Sequence, residues 1–178
     1  MTHTLHGFAV QTFVPMLQNL SQNLDKAAEF AREKDIEFSV LANARLAPDM
    51  LSLIRQVQLS SDHAKGCMAR LMGAEQPAYE DNETTLDELK ARIQKTIDYV
   101  EGAPVDAFKD AEERKITIEI PNNGMAFDMT GVEFFRDWAL PNFYFHVTTA
   151  YNILRHNGVN LGKRDFMGHA VKYLRQTA

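Results

Sequence analysis

A chain of 178 residues that is 45% apolar and 24% charged has the length and apolar content for one domain around one core. Nineteen lysines and arginines against 24 aspartates and glutamates leave a net charge of -5 and a pI near 5.7, which excludes the basic footprint of a nucleic-acid binder. A single cysteine, Cys67, excludes an internal disulfide and a multi-cysteine zinc site. No apolar run approaches the roughly 18 residues of a bilayer span, and Met1-Thr2-His3-Thr4-Leu5-His6 lacks the basic region of a signal peptide, so a cytoplasmic protein with no membrane partner is expected.

In chain order, Val10, Phe13, Leu17, Leu20, Leu24, Ala27 and Ala31 recur at three- and four-residue steps, predicting a long amphipathic first helix from about Leu5 to Lys34. Pro15 inside it removes one backbone donor and is expected to kink it, or to end a short first piece near Val14. After an aperiodic stretch, Ala47-Pro48-Asp49 reads as the start of a second helix running to Met72. Its buried stripe would be Met50, Leu53, Ile54, Val57, Ala64, Met68 and Leu71. Gly73 to Asn82 reads as a connecting loop, and Thr85-Leu86-Asp87-Glu88 has the spacing of a capping box that opens a third helix through Val100.

The period then changes from helix to strand. Lys115 to Ile120 alternates, Pro121-Asn122-Asn123-Gly124 is a turn signal and Met125 to Met129 alternates again, which predicts a β-hairpin that must lean on the helices. Thr130-Gly131-Val132-Glu133 opens the last long helix, with Pro141 as a kink or a restart and Gly158 at its C-terminal end, followed by a loop and a short, partly helical tail. On this helix Val132, Phe135, Ala139, Phe143, His146, Ala150 and Ile153 form one stripe, so His146 is expected to face inward. The fold class expected is all-α: an up-down four-helix bundle with a small inserted hairpin at about residues 115–130, in one domain over residues 1–178.

Of the six histidines, His3 and His6 lie near the terminus and His169 in the tail, leaving His63 and His146 as the pair on facing helices. Imidazole nitrogens suit a divalent metal such as zinc or nickel, but a catalytic zinc takes three protein ligands plus water. His156 is ten residues beyond His146, roughly 15 Å along the axis, and cannot share its site. Cys67, one turn after His63, is the local candidate for a third ligand; Asp62 points to another side. The non-functional alternative is that His146 is a core histidine bonded to Asn142 or Thr149, and that His63 is bonded to Ser60 or Gln56. No Gly-x-Ser-x-Gly elbow or phosphate-binding glycine loop is present. Arg155, Lys163 and Arg164 form a small basic cluster expected to favour the helix dipole and to pair with Asp165.

The stretches Leu46-Ala47-Pro48-Asp49-Met50, Arg55-Gln56-Val57-Gln58, Asp62-His63-Ala64-Lys65, Phe145-His146 and the long run Ile153 to Phe166 resemble an uncharacterised bacterial family of unknown function. That family lies within the superfamily of four-helix bundles resembling DinB and YfiT. The resemblance covers nearly the whole chain. It implies a DinB-like bundle, a homodimer, and a divalent metal held by one histidine on the second helix and two on the last, with thiol-dependent transferases or isomerases among the relatives. Carried over by residue, these ligands fall on His63, His146 and Ala150, and alanine has no donor atom. The resemblance thus leaves three readings: a degenerate metal site at His63 and His146 with no assigned reaction; a metal-dependent, thiol-linked transferase or hydrolase that recruits Cys67 or water; and a stress-related ligand-binding or interaction protein whose bundle pocket holds a small molecule without turnover.

Overall fold

The computed structural model describes residues 4–122 and 124–176. Helix α1 spans Leu5–Glu33, with the Thr4 hydroxyl accepting from the Gly7 amide at its start. It is followed by the short α2 (Phe38–Ala42), by α3 (Leu53–Met72), and by α4 (Leu86–Glu101), which opens with the expected Thr85/Glu88 capping box. Strands β1 (Ile116–Ile120) and β2 (Met125–Met129) pair antiparallel with Ile116 opposite Met129 and Ile120 opposite Met125, as the alternation predicts. Part of the turn expected between them, Asn123, lies outside the described residues. One turn of helix, α5 (Gly131–Glu133), leads through a π-helical turn at Phe134–Ala139 into α6 (Leu140–His156); α7 (Lys163–Phe166) and a 3₁₀ segment (Gly168–Tyr173) form the tail.

The expected mostly helical bundle with its inserted hairpin is present. Around it the neighbours run α1, α4, α3, α6 and back to α1. Phe13 and Phe143 meet edge to face at 4.8 Å near the start of both α1 and α6, and Phe30 lies under Gly158 at the far end, so α1 and α6 run the same way. His6, at the start of α1, donates to the Ala103 carbonyl just past α4, and Lys90 pairs with Asp25, so α4 runs opposite to α1.

The directions refine the simple alternation expected. Rather than turning straight from α3 into an antiparallel α4, residues 74–85 travel back along α3: Gln76 meets Arg70, the Pro77 carbonyl accepts from Lys65, Asp81 pairs with Arg55 and Glu83 meets Gln58. Helix α4 therefore starts beside the start of α3 and runs parallel to it. The return segment is held by Arg92 of α4, only 3% exposed, whose guanidinium bonds Asp62, Asp81 and Glu83 at 2.8–3.1 Å. Tyr79 covers this cluster, with the Lys65 ammonium 4.6 Å and the Lys95 ammonium 4.2 Å from its ring centroid.

Four local expectations are corrected. Helix α3 begins at Leu53, not Pro48, because Leu53 donates to the Ala44 carbonyl and Met50 to that of Ala47, which closes residues 44–53 as a compact loop; Met50 is thus not part of the buried stripe. Helix α1 passes through Pro15 without ending near Val14, since Phe13, Val14, Met16 and Leu17 on both sides are buried and hold it in place. Val132 is 37% exposed although Phe135, Ala139, Phe143, Ala150 and Ile153 are buried as expected. The π turn winds wider than an α-helix and so shifts Val132, which precedes it, off the stripe; Pro141, lacking an amide hydrogen, sits in the first turn of α6 just after it, where an α-helical donor is dispensable. Finally, Asp165 pairs with Lys26 at 2.6 Å rather than with the nearby basic cluster, tying the tail to α1.

Gly131 has a packing reason. A Cβ there would lie 1.8 Å from the Ala111 carbonyl oxygen, so only glycine lets the start of α5 approach the segment before β1.

Candidate site at the His63 and His146 pair

Helices α3 and α6 pack antiparallel, and their facing flanks bring His63 and His146 together as the sequence pairing expected. The rings stack with centroids 5.1 Å apart and planes 15° apart. Phe145 closes one side, its ring edge-on to His146 at 5.2 Å. His146 is half-buried at the margin of its stripe rather than deep in the core.

Its hydrogen bond goes to Gln56 across the helix interface, 2.8 Å from Nδ1, and not to Asn142 or Thr149, which bond the Trp138 and Phe145 carbonyls of their own helix. Gln56 is 1% exposed, and its Nε2 donates to the Leu51 carbonyl, which turns Oε1 toward the histidine. An amide oxygen can only accept, so His146 carries its proton on Nδ1 and keeps a lone pair on Nε2. Ser60 is likewise engaged with the Gln56 carbonyl, and among the described residues no side chain hydrogen-bonds His63.

Both imidazoles are held neutral. Burial, followed by the neighbouring His63, lowers the pKa of His146 to about 4. Burial also lowers that of His63, with Asp62 opposing the shift and Arg70 adding to it.

A cleft of about 240 Å³ opens beside His63, lined on one side by Cys67 and Arg70 of α3 and on the other by Phe134, Trp138 and Ala139 of the π turn. Cys67 is 1% exposed and its thiol is pushed far above the ordinary range by burial, so it stands there as a protonated thiol. Asp62 turns its carboxylate to Arg92 and Lys65. Ala150 is fully buried.

These residues do not fit a three-ligand metal centre. An imidazole lone pair lies in its ring plane, so two stacked, nearly parallel rings do not aim at one shared ion. Among the described residues, no group of three histidine, cysteine, aspartate or glutamate side chains is arranged to hold a metal. The other histidines are elsewhere: His6 bonds Ala103 and packs on Phe108, His169 bonds Asn19, His156 is exposed at the end of α6, and His3 lies outside the described residues. Sequence reading missed two participants. Gln56, expected as a partner of His63, bonds His146 instead, and Arg70 extends the flank of His63 and Cys67 by one further helical step, which is the signal for it in the sequence.

Among the described residues no helix is long and apolar enough to cross a membrane. Residues 5–167 match the family described as Domain of unknown function (DUF1993). A crystal structure of a DinB family member protein from Shewanella denitrificans is 44% identical to this chain and superposes with a TM-score of 0.84, the match covering 98% of this chain and 95% of that one. No curated protein matches. With a family match over most of its length and a close structural relative over nearly all of it, the chain belongs to the DUF1993 family, a DinB-like family of unknown function.

Proposed function

We propose that this is a cytoplasmic, homodimeric DinB-like protein in which the inherited metal position has lapsed and the cleft beside His63 and His146 holds a small molecule without turnover. The observation that carries this reading is the histidine pair itself: two neutral rings stacked 5.1 Å apart, with a buried alanine where the resemblance puts the third donor. The neutral His63 imidazole on the cleft wall offers a ligand a hydrogen bond through nitrogen while adding no charge, and Phe134 and Trp138 supply an apolar side. The homodimer is supported by exposed apolar side chains on β2 and α6, Met125, Phe127 and Phe145, each 46–56% exposed.

The test is metal content after purification without a histidine tag, followed by titration with Zn²⁺ and Ni²⁺. Substoichiometric metal that His63→Ala and His146→Ala leave unchanged is expected. Stoichiometric zinc or nickel lost in both variants would sink the lapsed-site reading. Sedimentation should give twice the 20.2 kDa chain mass; a monomer at every concentration would remove the dimer.

A further inference from the structure

The cleft contains a positive charge, Arg70, that has no counterion among the described residues. Arg70 stands seven residues after His63, two turns along the same flank of α3, and lines the cleft with it. Its Nη1 donates to the Gly66 carbonyl at 3.1 Å and to the Gln76 side-chain oxygen at 3.0 Å, both neutral acceptors. Among the described residues no carboxylate lies within 4 Å of the guanidinium, and its Nε and Nη2 have no acceptor. The cleft's own acid, Asp62, is occupied by Arg92 at 2.8 Å and Lys65 at 3.1 Å. A half-buried arginine in this position is a docking point for an anion.

The remaining walls limit what that anion is. Ile118 of β1, Phe134 and Trp138 are apolar and face an α3 flank of Leu59, His63 and Cys67. At roughly 30 Å³ per water in the liquid, about 240 Å³ corresponds to roughly eight water-sized groups, which sets the scale of a ligand. One guanidinium edge with two free N–H donors matches one planar carboxylate; a phosphate dianion would call on a second cation, and Lys65 and Arg92 are already paired with Asp62, Asp81 and Glu83.

We propose that this cleft binds a small monocarboxylate with an apolar body, the carboxylate seated on the Nε and Nη2 edge of Arg70 and the body lying against Phe134 and Trp138 toward His63. This assignment rests on the ligand-cleft reading above and adds the ligand's charge and size to it.

Trp138 is the chain's one tryptophan, so intrinsic fluorescence reports on the cleft wall directly. The full-length protein is titrated with pentanoate and, separately, with the neutral pentanamide. A saturable change with pentanoate, at least tenfold weaker binding of the amide, and at least a tenfold loss of pentanoate affinity in Arg70→Gln are expected, with Arg70→Lys between the two. Circular dichroism and the melting temperature establish that the variants fold, and the acid-amide comparison on the unaltered protein needs no variant. Equal binding of acid and amide overturns the assignment while leaving a ligand cleft in place; no saturable change with either compound also overturns it. The titrations are run in EDTA, so that stoichiometric zinc at the two histidines, found in the separate metal test, would sink the metal-free reading without entering the acid-amide comparison.

Discussion

His146 holds its Nδ1 proton against Gln56 at 2.8 Å while its ring face lies on His63, so one histidine is fixed in tautomer, orientation and charge by residues from the opposite helix. A histidine oriented through one nitrogen presents the other to a ligand, which is how second partners commonly tune imidazole. The consequences of this arrangement can be measured.

The first concerns pH. His146 in the fold has a pKa lowered to about 4 from 6.5, by burial first and by His63 second. The unfolded chain therefore binds this proton more readily than the native one, and stability falls as pH drops. The contribution is fully present above about pH 6.5 and is lost progressively down to about pH 4. The melting temperature of the native protein should decline more steeply between pH 7 and pH 4.5 than that of His146→Gln. An NMR titration should place the His146 midpoint near 4; a midpoint at the ordinary histidine value would mean the ring is solvated.

Gln56 offers a second test. The side chain is buried and makes two hydrogen bonds, to His146 and to the Leu51 carbonyl. Gln56→Leu keeps the approximate volume but leaves the N–H of a half-buried imidazole unpaired, while the carbonyl of the exposed Leu51 can turn to water, so the cost should fall at the low end of about 1–3 kcal/mol. Urea denaturation should show that loss. Nitrogen chemical shifts of His146 should move from a single Nδ1–H tautomer to a mixture, an effect that loss of packing alone would not produce.

How much of this was legible in the sequence differs by element. The capping box at Thr85 and Glu88 and the alternation of Ile116 to Ile120 are local signals with local causes, and both appear as read. His63 opposite His146 was legible because 3.6-residue periodicity places both on facing flanks. Gln56 as the partner of His146 was not, because that depends on the longitudinal offset of α3 against α6, which core packing decides. The parallel course of α3 and α4 was hidden for a similar reason. It depends on residues 74–85 being drawn back by a buried arginine from a helix not yet formed in sequence order.

That arginine supplies the third prediction. Arg92 bonds Asp62, Asp81 and Glu83, and the carboxylates are themselves partly exposed. Arg92→Met should cost toward the low end of the roughly 3–5 kcal/mol seen when one partner of a buried pair is removed, since water can reach the acids left behind. It should also change the candidate cleft at a distance. With Arg92 gone, Asp62 has less neutralising charge beside it, and its field already raises the His63 pKa. The His63 midpoint should therefore move up in the variant, readable by NMR while the His146 tautomer stays unchanged.

The fourth prediction asks whether a third donor at position 150 would make a metal site beside His63 and His146. Ala150 lies one turn after His146 on α6 and is completely buried, so Ala150→His must push an imidazole into packed space, at a cost of about 1–3 kcal/mol. In EDTA the variant should melt several degrees below the native protein. A third donor changes the balance for metal: once the His63 and His146 rings turn out of their stack to face one ion, binding to the folded state alone adds stability that grows with free metal concentration. Zn²⁺ should raise the melting temperature of Ala150→His relative to EDTA and leave that of the unaltered chain unmoved. Combining Ala150→His with His63→Ala should abolish the rise, since that pair again lacks three ligands. A zinc-dependent rise of the same size in the unaltered chain would show that two histidines suffice and that Ala150 is no lesion.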